Sequence, residues 1–166
     1  MVSITTVILA AGKSTRFKAT SSKLVYPLCG LPIISHVYAI AKKISGKKVV
    51  VVCNNENINE LKSILKDCVF VIQKQQRGTA DAIEQAQNKI NSKNVIVLFG
   101  DTPLITMSSI TRLIKKFLSS KVKASLIAFR TKKPFGYGRL LVKNNVLEEI
   151  VEEINLNLNQ KKNQPM

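Results

Sequence analysis

Residues 49 to 52 are four valines in succession, closed by Cys53, with no polar side chain among them. A run this short and this apolar suits a β-strand covered on both faces, as strands are inside a parallel sheet packed between helices. The rest of the chain keeps to the alternation such a sheet requires. Ile4–Ala11, Lys48–Cys53, Cys68–Gln73, Val95–Phe99 and Ala124–Phe129 read as strands. Pro32–Ile44 sets Ile33, Val37, Ile40 and Ile44 on one helical face, and Ser45-Gly46 stops it, with Lys42 and Lys43 in the last turn where the helix dipole favours cations. Asn57–Leu65, Thr79–Ile90 and Thr106–Leu118 supply further helices, the last with Ile110, Leu113, Ile114 and Phe117 on one side. The expected fold is α/β, a Rossmann-like, mostly parallel sheet with helices on both faces.

After Arg130 the pattern changes. Pro134-Phe135-Gly136-Tyr137-Gly138 is rich in turn residues. Arg139–Lys143 and Val146–Val151 flank Asn144-Asn145, a good hairpin turn because asparagine tolerates positive φ. Residues 1–154 are expected to form one domain ending in this β-hairpin, and the polar stretch 155–166 to fray. No internal repeat is present.

Parallel sheets bind ligands beyond the carboxyl ends of their strands, and the polar signals gather there. The first apolar run ends at Gly12 and gives way to small, hydroxylated and cationic residues, with no apolar pattern until Leu24. Exposed amides in such a turn form an anion-binding concavity. Arg16 can fork onto two phosphate oxygens, and Lys23 supplies a point charge. The stretch is neither a Gly-x-x-x-x-Gly-Lys-Ser/Thr loop nor a Gly-x-Gly-x-x-Gly turn, so on its own it reads as a phosphate loop or as an ordinary strand-to-helix connection. Gln73 closes the third strand, and Asp101 follows the fourth.

Composition narrows the chemistry. The formal charge is +16, from 26 Lys and Arg against 10 Asp and Glu. The lysines come as scattered pairs and aromatic residues make up only 5%, whereas nucleic-acid readers concentrate charge and stack bases on rings. No specific nucleic-acid partner is expected, although salt-sensitive adhesion follows from the charge. His36 is the one histidine, set in a helical pattern, so neither a Ser-His-Asp triad nor a histidine metal cluster can be built. Cys29, Cys53 and Cys68 are odd in number, lack a Cys-x-x-Cys pair, and are expected as buried thiols in a reducing compartment. No run reaches the ~18 apolar residues of a membrane span. The start of the chain lacks a basic leader, and the protein is expected in the cytoplasm.

Five separated segments in order carry a resemblance: Leu9-Ala10-Ala11-Gly12-x-x-Thr15-Arg16 with Lys23; Gln73 with Gly78-Thr79; Phe99-Gly100-Asp101-x-Pro103-Leu104; Gly136-Tyr137-Gly138-Arg139; and Val151-Glu152. Together they resemble the N-terminal nucleotidyltransferase (pyrophosphorylase) domain of bacterial N-acetylglucosamine-1-phosphate uridyltransferases, a domain of the nucleotide-diphospho-sugar transferase type. Nucleotidyltransferases of the methylerythritol and molybdopterin kinds share the first loop. The resemblance implies conversion of UTP and a sugar 1-phosphate, with N-acetylglucosamine 1-phosphate favoured, to a UDP-sugar and pyrophosphate for the cell envelope. Leu9, Ala10, Ala11 and Gly12 would line the nucleotide, and Arg16 and Lys23 would hold its phosphates through catalysis. Gln73, Gly78 and Thr79 would meet the base, and Asp101 would bind Mg²⁺. Phe99, Gly100, Gly138 and Glu152 would border the sugar.

The chain departs from that pattern at Ser14, in place of the usual glycine, at Ser22, in place of a proline, and at Phe99, in place of a tyrosine. The family's domain also continues past the position of Met166, with further sugar and metal ligands, so the resemblance implies a truncated domain. Two functional readings follow: a short uridyltransferase, or a non-catalytic remnant that holds nucleotide. A basic nucleic-acid-binding protein stands behind both. Missing strands would leave sheet edges for a partner or a second copy to cover.

Overall fold

The computed structural model describes residues 2–12, 21–144 and 146–157. They belong to two compact units, Met1–Ile114 and Lys115–Met166.

The first unit begins with strand β1 (Ile4–Leu9), followed by a short hairpin of β2 (Pro27–Leu28) and β3 (Leu31–Pro32). Then come α1 (Ile33–Ser45), β4 (Val49–Cys53), α2 (Ile58–Ile64), β5 (Val69–Ile72), α3 (Thr79–Ala86) and β6 (Asn94–Phe99). Helix α4 (Met107–Ser119) starts in this unit. Strands β5, β4, β1 and β6 lie in that order in one sheet, every neighbouring pair parallel.

The valine run explains the layering. All five residues of β4 are buried, and successive side chains point to opposite faces. On one face Ile8, Val49 and Val51 pack with Ile34, Val37 and Ala41 of α1, Leu61 of α2 and Ile110 of α4. On the other, Val7, Val50 and Val52 pack against Ala82 and Ala86 of α3. Strand β6 departs from the expected burial on both faces: Ile96 and Leu98 are buried, whereas Val95 and Phe99 are exposed. It is an edge strand, and an apolar run cannot tell an edge from a centre.

The hairpin of β2 and β3 was not legible as an element. Its two central residues, Cys29 at φ 51° and Gly30 at φ 81°, both lie at positive φ, the backbone that two-residue hairpins require. Cys29 is thereby exposed, which corrects the expectation that all three thiols are buried. Cys53 is buried and Cys68 half-buried. Burial pushes the Cys53 thiol up to about 11, far from the thiolate needed for reaction at neutral pH. Brief iodoacetamide treatment of the native protein is expected to alkylate Cys29 at least about tenfold faster than Cys53, read by peptide mass spectrometry. His36 sits half-buried on α1 with Nε2 2.9 Å from the Leu28 carbonyl, a packed helix residue as expected.

The second unit holds the hairpin of β7 (Arg139–Lys143) and β8 (Val146–Val151), antiparallel, with a register break between Leu141 and Val142. Asn144 turns it at φ 50°. The buried Arg139 guanidinium donates to the carbonyls of Pro134 and Tyr137 and lies 3.8 Å from Glu153. Glu153 also accepts from the Gly136 N–H, which pins the turn-rich loop to the residues after β8. The strand expected at Ala124–Phe129 does not form. Those residues join no ladder among the described residues, and Leu126, Ile127 and Phe129 stand exposed. An apolar run records a preference for burial, but a strand also needs a partner for its backbone. Of the stretch 155–166 expected to fray, Asn155 closes a short 3-10 turn, Glu153–Asn155, and Leu156 is buried, while 158–166 fall outside the described residues. No helix among the described residues is long and apolar enough to cross a membrane.

Candidate nucleotide-binding site

Strand β1 is flanked on one side by β4 and on the other by β6. Chain connections therefore run away from β1 in opposite directions, and the crevice beyond its carboxyl end is where open α/β sheets take their ligands. A cavity of about 280 Å³ opens there. Its walls include Leu9, which ends β1, and Ala10, Ala11 and Gly12 after it, Gln73 after β5, Gly78 and Thr79 at the start of α3, and Phe99, which ends β6, with Asp101 beyond it. Lys23, on the 3-10 turn that precedes β2, completes the set. The residues expected to line the nucleotide, and the residue expected to hold the metal, are thus brought to one concavity. Arg16 lies outside the described residues.

Each wall is held for a local reason. Gly100 sits buried where β6 ends against β1; its N–H donates to the Leu9 carbonyl at 2.9 Å, and a Cβ there would come within 3.1 Å of that same oxygen. Gly100 therefore lets the two strand ends approach closely, and it is not itself among the residues that line the cavity. Gly78 enters α3 at φ 110°, a backbone that L side chains rarely adopt.

The carbonyls that end β1 are fixed by residues the sequence reading passed over. Asn57 Nδ2 donates to the Ala10 carbonyl at 2.8 Å, and Asn54 Nδ2 to that of Ala11 at 3.0 Å. Gln76 Nε2 donates to the Ala11 carbonyl as well, at 2.6 Å. Both asparagines are buried, and they brace each other: the Asn54 N–H donates to Asn57 Oδ1, and the Asn57 N–H to Asn54 Oδ1. The only advance signal was the cluster Asn54-Asn55-Glu56-Asn57 directly after a buried strand.

Lys23 and Asp101 form an ion pair, Nζ to Oδ2 2.6 Å, with both side chains more than a third exposed. At that exposure water screens the pair, and it adds little to stability. Its meaning is positional: the cation expected on phosphates and the carboxylate expected on a metal meet at the mouth of one cavity. Gln73 is buried, and its Nε2 donates to Asp81 Oδ2 at 2.6 Å and to the Gly78 carbonyl at 3.2 Å. Among the described residues no group of three or more His, Cys, Asp or Glu is placed to hold a metal by itself. In the second unit, Gly138 and Glu152 are neighbours: the Glu152 Oε2 lies 3.7 Å from where a Cβ on Gly138 would stand.

A parallel sheet in this order, with a cavity over its switch point and a separate antiparallel hairpin, is the nucleotide-diphospho-sugar transferase fold. Residues 6–157 match the MobA-like NTP transferase domain, and the chain belongs to that family. It is 42% identical over 164 residues to the bifunctional protein GlmU of Buchnera aphidicola subsp. Schizaphis graminum, an alignment covering 96% of this chain and 34% of the relative. The chain thus spans about a third of the length of such relatives. Among solved structures it resembles one from Bacillus anthracis, assigned as a glucose-1-phosphate thymidylyltransferase and crystallised with sucrose, with a TM-score of 0.76 and 18% identity over 91% of this chain and 65% of that one. It also resembles Rv0371c of Mycobacterium tuberculosis complexed with manganese, with a TM-score of 0.59 and 15% identity over 72% of this chain and 62% of that one.

Proposed function

We propose that the chain is a cytoplasmic nucleotidyltransferase that joins UTP and a sugar 1-phosphate, N-acetylglucosamine 1-phosphate in the first instance, into a UDP-sugar with release of pyrophosphate. The observation that carries this reading is the convergence of the β1 loop, Gln73, Lys23 and Asp101 on one cavity. In the reaction a phosphate oxygen of the sugar 1-phosphate forms a bond to the α-phosphorus of UTP, the α–β anhydride bond breaks in line, and pyrophosphate leaves. The attacking oxygen is already anionic, so the site needs no base and no protein nucleophile. Positioning and charge neutralisation suffice.

The backbone of residues 9 to 12 lets the nucleotide approach closely, Gln73 meets the base edge, and Lys23 neutralises phosphate charge. Asp101 fits magnesium. A single carboxylate is what that ion commonly takes from a protein when phosphate oxygens and water fill its other positions, and Asp101 already attracts a cation in Lys23. When bound, the ion draws charge from the triphosphate. Gly138 and Glu152 are assigned to the sugar on the resemblance. The deciding experiment is pyrophosphate release by the purified chain with UTP, Mg²⁺ and N-acetylglucosamine 1-phosphate. Turnover supports the reading. UTP-dependent thermal stabilisation without turnover selects a non-catalytic nucleotide binder, and the absence of both overturns the assignment.

A further inference from the structure

We propose that Asp81 is a specificity-positioning residue: it locks the Gln73 amide so that only the carbonyl oxygen is left for a ligand, and the cavity therefore favours a base carrying a ring N–H, uracil or thymine, over cytosine. This rests on reading the cavity as a nucleotide site. Gln73 lines the cavity and is buried. The two ends of a carboxamide have nearly the same shape, so its neighbours must decide its orientation. Here they do. One end lies 2.6 Å from Asp81 Oδ2 and 3.2 Å from the Gly78 carbonyl oxygen. A carboxylate and a carbonyl only accept, so that end must be the nitrogen. Turned over, the amide of the buried Gln73 would set its oxygen against two oxygens in a partly buried place, where an unmade hydrogen bond is costly.

Both N–H groups of Nε2 are therefore committed within the protein, and Oε1 remains. Uracil and thymine present N3–H between two carbonyls, while cytosine presents a bare N3 lone pair at the same place. Facing Oε1, the first makes a hydrogen bond and the second sets acceptor against acceptor. The Asp81 carboxylate is itself steadied by Gln85, whose Nε2 lies 3.5 Å from Oδ1. Asp81 also stands in the first turn of α3, where a carboxylate suits the helix dipole. That role alone would add stability and no preference between bases.

The test is calorimetric titration of UTP and of CTP, each with Mg²⁺, into the wild-type chain, Asp81→Asn and Asp81→Leu, with thermal midpoints recorded alongside. Wild type is expected to bind UTP at least about tenfold tighter than CTP. In Asp81→Asn, whose amide donates as readily as it accepts, and in Asp81→Leu, which offers no acceptor, that ratio is expected to fall about tenfold, mainly through weaker UTP binding. Asp81 is only half-buried, so both variants are expected to fold. Variants that keep the wild-type ratio overturn the inference and leave the nucleotide site standing, as do affinities for both nucleotides falling by one common factor. A wild type that binds UTP and CTP alike also overturns it. A wild type that binds neither removes the nucleotide reading itself.

Discussion

Asp101→Ala is expected to lower Mg²⁺-dependent pyrophosphate release by roughly 10²–10³-fold while leaving the protein folded. The carboxylate follows the edge strand β6 and pairs with the Lys23 ammonium at 2.6 Å. Both side chains are well exposed, so the truncation costs the fold at most about 1 kcal/mol, and the thermal midpoint should move by only a few degrees. The chemistry is another matter. Stabilisation of a transferring phosphoryl group depends on cations held where charge accumulates, and among the described residues Asp101 is the one wall residue of the cavity with a carboxylate to hold a divalent ion. Steady-state pyrophosphate release over a magnesium titration checks this. A variant that retains wild-type turnover at limiting magnesium would remove Asp101 from the proposed mechanism.

Asn57→Leu is the second large effect, expected in stability first and in nucleotide binding as a consequence. Asn57 is 3% exposed. Its side chain donates to the Ala10 carbonyl at 2.8 Å and accepts from the Asn54 N–H at 3.1 Å. Leucine is close in size and can do neither, so two backbone groups in the interior lose their partners at ~1–3 kcal/mol each. The expected loss of about 2–6 kcal/mol is a large part of the stability of an ordinary domain. Because Ala10 and Ala11 also wall the cavity, UTP binding should weaken even at temperatures where the variant stays folded. Asn55→Leu is the control: Asn55 is exposed, and the change should fall within about ±0.5 kcal/mol. Urea denaturation of the two variants and wild type measures both costs. Equal midpoints for the two variants would show that the Asn54–Asn57 brace contributes little.

Much of this arrangement was legible in advance, for reasons that can be named residue by residue. The valines of β4 form a buried strand because nothing in them can face water; the run from Ile4 is mostly apolar too, and its Thr5 and Thr6 are buried with their hydroxyls bonded to Ser92 and Ser45. Gly12, Gln73 and Asp101 could be placed at strand ends because a run of one character stops there and a residue of another begins. These are short-range properties, and the chain carries them wherever it goes. Ala124–Phe129 shows their limit: it has the composition of a strand, yet no ladder forms among the described residues. Cys29 shows it in another way, since a thiol that looks suited to the interior is lifted to the surface by a turn whose φ angles depend on the strands it joins.

The amino-acid order alone therefore determined the kind of layers this protein builds and the chemical groups that end its strands. Tertiary structure decided that β1 lies between β4 and β6, and so that a crevice opens above it. It decided that Lys23 reaches Asp101 across 78 positions of chain, that two asparagines hold the carbonyls of the loop, and that Asp81 turns the Gln73 amide one way and not the other. Hydrophobic patterning is written over a few neighbouring residues, because it reports only which side of a strand or helix avoids water. The partner of a polar group is chosen by whichever distant segment packing brings within 3 Å of it, and that choice exists only once the sheet has closed its order.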